Sequence, residues 1–437
     1  MKRVFLTLLL MACFLQAHSF ANEAHPFALP ENEEGLPGEG ALRRYKNYVD
    51  KWATFREAWS KQVKKDQEAV VFLGDSITQG WGAKFKEQFS GMKLANRGIG
   101  GDTTRGMLIR LEQDVLSLNP SAIVLLMGTN DLGVQIESDA IARNFEKIIK
   151  KIKEHSTEVP IILCKIFPSS LTKKRPMEKI VKVNELYASI VKNDPQVTLL
   201  DTWSLFANSE GDARAELFPD LLHLNHQGYI AWAKALKPIF ATLGFWDTQK
   251  DTFELEAGYK SLFNGNDLSG WGFRVTPPRK KPNKNGLLFV EVKEAIQFDG
   301  KKVSSDNRYE AIHGRLVVKT PIEGRRIQQI WTQESFSGDF ILKLEFRATP
   351  NADSGVFIQK PQLQCRDFPI AGPYKNLKKY KEGDWNELIV KVENNVAHAT
   401  CNGELLTDSM KVPGSGPIGL EGDRGQMEYR RIRLKQL

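Results

Sequence analysis

The chain has 437 residues, 41% hydrophobic and 26% charged, a globular composition that excludes disordered, collagenous and coiled-coil classes. Its length exceeds the ~100–200 residues of one domain, so two folded units are expected. The net charge of +8 is spread thinly with no long Lys/Arg block, which argues against a nucleic-acid role, and one apolar run, at the N-terminus, is too little for a polytopic membrane protein.

Met1-Lys2-Arg3 precedes an apolar stretch over residues 4–15, and Ser19-Phe20-Ala21 follows before Asn22. This is the pattern of a secretory signal over residues 1–21, cut after Ala21, which places the mature protein outside the cell or in the periplasm without a transmembrane span. Leu10-Met11-Ala12-Cys13 also fits a lipobox, with lipid anchoring at Cys13 as the alternative. Cleavage leaves three cysteines. Cys164 lies in an apolar run, where a buried thiol is the default, whereas Cys365 and Cys401 share a later domain and are candidates to pair.

Within residues 22–66, Leu42, Tyr45, Val49, Trp52, Phe55, Trp59 and Val63 recur every three or four positions, which predicts a docking helix. Residues 67–246 alternate continuous apolar runs at 70–73, 123–127, 161–166 and 197–200 with helical patterns at 141–152, 178–191 and 227–243. Strands buried on both faces predict a parallel sheet between helical layers, an α/β/α sandwich of flavodoxin-like type. The polar residues 247–252 read as a linker. Beyond it, over 253–437, apolar positions alternate at 340–346, 355–359, 388–392 and 396–401, with turn signals at Asn264-Gly265, Asn394-Asn395 and Asn402-Gly403. An all-β sandwich is expected there.

The first strand runs into Gly74-Asp75-Ser76-Ile77-Thr78, and a serine at the carboxyl end of such a strand sits where open parallel sheets place reacting groups. A serine needs a base to attack, and His223, with Asp220 three positions earlier, supplies one. Asp75-Ser76 could instead serve only as a helix cap, and Asn130-Asp131 only as a turn. His226 is a rival base without a carboxylate three residues before it, and Asp131 is read as structural.

Together Gly74–Thr78, Asn96-Arg97-Gly98-Ile99-Gly100-Gly101-Asp102, Gly128-Thr129-Asn130-Asp131 and Asp220-Leu221-Leu222-His223 resemble the four signature blocks of the SGNH, or GDSL-type, hydrolases. The resemblance implies Ser76 as nucleophile, His223 and Asp220 as its partners, and an oxyanion hole from the Ser76 amide, the Gly101 amide and the Asn130 side chain. Residues 96–111 and Gly128–Asp131 are similar to the deacetylating branches, which include platelet-activating-factor acetylhydrolase-like and carbohydrate O-acetylesterase members. A secreted chain with a second β domain favours an acetylated carbohydrate.

Ser261–Trp271, Asp353-Ser354-Gly355-Val356-Phe357 and Gly416–Asp423 resemble the 3-keto-disaccharide hydrolase domain, which implies a concanavalin-like jelly-roll sandwich acting on oxidised glycosides. Where many relatives carry a Glu-rich strand, this chain has Gln362-Leu363-Gln364-Cys365-Arg366-Asp367. Period two sets Lys343, Glu345 and Arg347 opposite the core residues Leu342, Leu344 and Phe346. If that face is concave, Glu345, Arg347, Asp353, Gln364 and Asp367 are candidates to contact sugar; otherwise it carries ordinary ion pairs. Trp331 and Trp385 are candidates for sugar stacking or for core. No cofactor or metal site is expected, and nothing in the sequence sets an oligomeric state.

The expected function is a secreted esterase that deacetylates a carbohydrate, joined to a sugar-binding or glycoside-cleaving sandwich. Two alternatives remain: a 3-keto-glycoside hydrolase with an accessory esterase, and a non-catalytic carbohydrate-binding surface protein.

Overall fold

The computed structural model describes residues 26–192, 194, 196–276, 288–319, 326–349, 352–366, 372–423 and 426–437. The signal-peptide and lipobox expectations, and Asp367, lie outside the described residues. Among those residues no helix is long and apolar enough to cross a membrane.

Five parallel strands, β1 (Val70–Gly74), β2 (Leu94–Gly98), β3 (Ala122–Leu126), β4 (Ile161–Cys164) and β5 (Val197–Leu200), form one sheet in the order β2-β1-β3-β4-β5. Every residue of β1, β3 and β4 is buried, because helices cover both faces. On one face the helix Ser138–His155 turns Ile141, Phe145, Ile148 and Ile152 onto the sheet. On the other the helix His226–Thr242 buries Trp232 and Leu236 beside Trp81 and Phe72. The order reverses between β1 and β3, so the carboxyl ends of these strands open onto the crevice where such folds bind ligands.

β2 has no apolar run to announce it. Its Arg97 is buried only because Asp66 at 2.7 Å and the Asp114 carbonyl at 3.0 Å take its guanidinium. The amphipathic stripe after Leu42 becomes the helix Lys46–Ser60, whose Tyr48 and Trp52 are fully buried against Leu29, Leu42 and Ile99.

The second domain packs two antiparallel sheets over a shared apolar core. One sheet runs Tyr309–Ile312, Arg315–Val318, Met427–Gln436, Phe340–Ala348, Asn386–Glu393, Val396–Cys401, Glu404–Lys411 in order of pairing. The other runs Gln362–Arg366, Asp353–Ile358, Ile418–Gly422, Arg326–Thr332, Trp271–Phe273, Ile296–Gln297. Asn394-Asn395 and Asn402-Gly403 both take positive φ at the tips of two-residue hairpins, the geometry that matches strand twist.

Residues 247–252, expected as a linker, are fastened to the sandwich. Asp247 accepts from Arg315 and Arg347, and Asp251 holds Arg431 with both oxygens at 2.9 Å. Arg315 also donates to the Ala241 carbonyl at 3.2 Å, reaching the end of the last hydrolase-domain helix. Cys365 and Cys401, expected as a possible pair, are free thiols like Cys164, each buried and pushed by burial up to about 12.

Candidate functional site

Ser76 follows β1 directly. Asp75 turns its side chain back to accept from the Ile77 N–H at 2.9 Å, so the capping role falls to Asp75 and leaves the Ser76 hydroxyl free to face the crevice. Ser76 Oγ lies 2.9 Å from His223 Nε2, and His223 Nδ1 lies 2.8 Å from Asp220 Oδ2. The loop that carries these two is held tightly. Asp220 Oδ1 accepts from the N–H of Leu222 at 3.1 Å and of His223 at 2.7 Å, while Leu221 between them takes a left-handed φ of 62°. Burial works to raise the Asp220 carboxyl, but the bonds from the His223 ring and the two N–H groups outweigh it and hold the group at about 2. A carboxylate that stays charged near neutral pH fixes the imidazole with its Nδ1–H toward Asp220 and its bare Nε2 toward Ser76.

Two backbone N–H groups and one side-chain amide are the candidate oxyanion donors. The N–H groups of Ser76 and Gly101 have no acceptor among the described residues. Gly101 takes a φ of +93°, which favours glycine, and a Cβ there would have to push aside the hydroxyl of half-exposed Tyr45. Asn130 is buried; one Nδ2 hydrogen goes to the Asp102 carbonyl at 2.9 Å and its Oδ1 accepts from Arg175 at 3.3 Å. The amide carries two hydrogens, so one remains for a ligand. Asp131, read as structural, accepts from the Thr104 N–H at 3.0 Å and its hydroxyl at 2.6 Å, and burial raises its carboxyl to about 6. His226 is exposed and opens the helix that Asn225 caps, apart from Ser76's hydrogen bond.

The geometry joins a hydroxyl, an imidazole and a carboxylate in one chain, an arrangement suited to acyl transfer. Residues 72–231 match the GDSL-like lipase/acylhydrolase family, and residues 258–435 match the 3-keto-alpha-glucoside-1,2-lyase-like domain. Human platelet-activating factor acetylhydrolase IB subunit alpha2 is 30% identical over 220 residues, covering 50% of this chain and 90% of the relative. The chain belongs to the GDSL-like lipase/acylhydrolase family. The human alpha1 subunit of the same enzyme is 26% identical over 226 residues, covering 51% of this chain and 93% of the relative. Among solved structures, an acetyl xylan esterase is 25% identical with a TM-score of 0.32, covering 38% of this chain and 96% of that one. A GDSL-like lipase from Bacteroides thetaiotaomicron is 23% identical with a TM-score of 0.38, covering 44% and 96%. By its family match the GDSL domain is of an ester-hydrolysing family.

The sandwich candidates are divided between two sheets and do not form one cluster. Glu345 pairs with Arg430 at 2.7 Å and Arg431 at 2.8 Å, and Arg347 pairs with Glu428 at 2.6 Å and Asp247 at 3.1 Å. That face is an ion-pair network against the 247–256 segment. Asp353 and Gln364 lie on the other sheet, Asp353 bonded to Arg366 at 2.7 Å. Neither tryptophan is core. Trp385 is half-buried beside the guanidinium groups of Arg347 and Arg430, and Trp331 packs on Phe357 with ring centres 5.0 Å apart.

Sequence reasoning missed Glu421, on the same outer sheet face as Asp353. It is 6% exposed, is hydrogen-bonded to Gln362, and is raised to about 7 by burial, with Asp423 and Asp353 adding to the rise. The signal was hidden in the turn-rich phrase Gly416–Asp423, where a single glutamate among glycines reads as a loop residue. Among the described residues no group of three His, Cys, Asp or Glu side chains is placed to hold a metal.

Proposed function

We propose that the GDSL domain is a secreted serine esterase that removes O-acetyl groups from a carbohydrate. The observation that carries this reading is the 2.9 Å contact of Ser76 Oγ with His223 Nε2, backed by Asp220 at 2.8 Å. Ser76 Oγ attacks the ester carbonyl while Nε2 takes its proton, and Asp220 stabilises the imidazolium that forms. The oxyanion is met by the Ser76 and Gly101 N–H groups and the spare Asn130 hydrogen. His223 then protonates the departing sugar oxygen, and water, activated by the same ring, releases acetate. The curated relatives are acetylhydrolases by name, and the fused domain resembles one for glucosides, which together favour a sugar acetate. Acetate release from O-acetylated polysaccharides, with Ser76→Ala as control, tests it: activity in the wild type and none in the folded variant is expected.

A second reading concerns the sandwich. The buried Glu421, held near the protonation midpoint at neutral pH, favours acid/base work on a 3-keto-glucoside, taking the proton from C2 beside the ketone as the C1 substituent departs. Loss of 3-keto-glucoside turnover in Glu421→Gln, with acetate release retained, is the expected result.

A further inference from the structure

Of the arginines described before residue 247, Arg44, Arg56, Arg97, Arg105, Arg110, Arg143 and Arg214 each have a carboxylate within 4 Å. Arg43 and Arg175 have none, and these are the two that bind Asn130. Arg43 Nη2 donates to the Asn130 carbonyl at 3.2 Å, and its Nε is buried without a partner. Arg175 donates to Asn130 Oδ1 at 3.3 Å and to the Thr129 carbonyl at 2.7 Å, and is 7% exposed. Lys51 Nζ and Ser76 Cβ stand 3.5 and 3.6 Å from the point a Gly100 Cβ would occupy, so the ammonium and the nucleophile flank one glycine. Tyr45, half exposed, lies over Gly101.

The nearby carboxylates are already committed. Asp220 is bound to His223, Asp102 to Arg110 and Tyr48, and Asp131 to Thr104. Asp75 is fully buried with Oδ1 on the Ile77 N–H and Oδ2 without a hydrogen-bond partner; burial raises its carboxyl to about 6, against the charges of His223 and Arg175. Burying a guanidinium without a counter-charge is costly; Arg175 is offset from beyond ion-pair distance by Asp75 and Asp220, whereas half-buried Arg43, its Nε without a partner, has no carboxylate within 4 Å among the described residues. The charge missing beside Arg43 is one that a ligand would bring.

We infer that the Ser76 site selects acetyl esters of acidic sugars, whose carboxylate is held by Arg43 and Lys51. This rests on the esterase reading and names its substrate class. A carboxylate on the sugar remains after the acetyl group leaves, so the contact serves recognition and not the chemical step. The fused glucoside-type domain favours a sugar over a phospholipid as the carrier of the anion.

The test compares kcat/KM of the full chain on a mono-O-acetylated methyl glucuronoside and on the corresponding glucoside. The acidic ester is expected to be favoured about tenfold or more at low ionic strength, with the preference shrinking in 0.5 M salt. Arg43→Gln and Lys51→Met should each reduce the ratio about five- to tenfold, and Arg43→Lys should restore part of it. Equal turnover of both esters, or a ratio unmoved by both variants, overturns the inference. Faster turnover of an acetylated lysophospholipid overturns the sugar assignment. Calorimetric binding of methyl glucuronoside, which carries no ester, to wild type and Arg43→Gln separates the two claims. Binding that weakens in the variant, with no ester hydrolysed by the wild type, overturns the esterase reading and supports the anion site; no binding overturns the anion site whatever the activity.

Discussion

The Tyr48 hydroxyl donates to Asp102 Oδ1 at 2.8 Å, tying the helix Lys46–Ser60 to the turn that carries Gly101. The other Asp102 oxygen takes Arg110 Nε at 2.7 Å, and its carbonyl takes Asn130 Nδ2 at 2.9 Å. One buried residue therefore positions two of the three proposed oxyanion donors, and the N-terminal helix is part of the site's frame.

Arg110→Met should be strongly destabilising. Arg110 is fully buried and also donates to the carbonyls of Gly74 and Arg97, so its loss strands Asp102 and two carbonyls at once. A loss of about 3–5 kcal/mol is expected in urea denaturation, against about 1–2 kcal/mol for Tyr48→Phe.

Asn130→Ala should lower kcat roughly 10²–10³-fold with little change in KM, because the amide donor is used mainly in the transition state. Steady-state kinetics on an aryl acetate, beside a thermal melt showing folded protein, reads this directly.

Asp220→Asn should keep the loop and lose the chemistry. The amide would donate to His223 Nδ1 and leave the proton on Nε2, so the ring presents a donor to Ser76 instead of an acceptor. A fall in kcat of roughly 10²–10⁴ is expected, with circular dichroism unchanged.

Glu421 makes the sandwich's stability depend on pH. Its folded value of about 7 lies above the ordinary 4.5, so the folded domain keeps a proton that the unfolded chain releases. The resulting stabilisation is complete below pH ~4.5 and is lost as pH rises through ~7, a change on the order of 3 kcal/mol. Urea denaturation at pH 5 and pH 8 should show this loss in the wild type and not in Glu421→Gln.

The parallel sheet was legible because β1, β3 and β4 are unbroken apolar runs that only a two-sided burial explains. β2 was not, since Asn96 and Arg97 are polar residues made tolerable by partners far along the chain. The blocks around Ser76, Asn130 and His223 were visible as short motifs, and the structure brings them together. Arg43, Lys51 and Arg175 carry no motif, and only folding brings them beside Asn130 and Gly100. In the sandwich, strict alternation located the strands but left open which sheet each polar residue faced. Glu345 and Arg347 turn toward the ion pairs of the 247–256 segment, and Glu421 proved the buried acid.

Covalent labelling of Ser76 tests the central claim most directly. Full-length protein is treated with an aryl fluorophosphonate and digested, and the peptides are read by mass spectrometry. A single adduct on the peptide bearing Ser76 is predicted, absent in Ser76→Ala and formed far more slowly in His223→Ala. Labelling at another residue, or at an unchanged rate in either variant, would contradict the account.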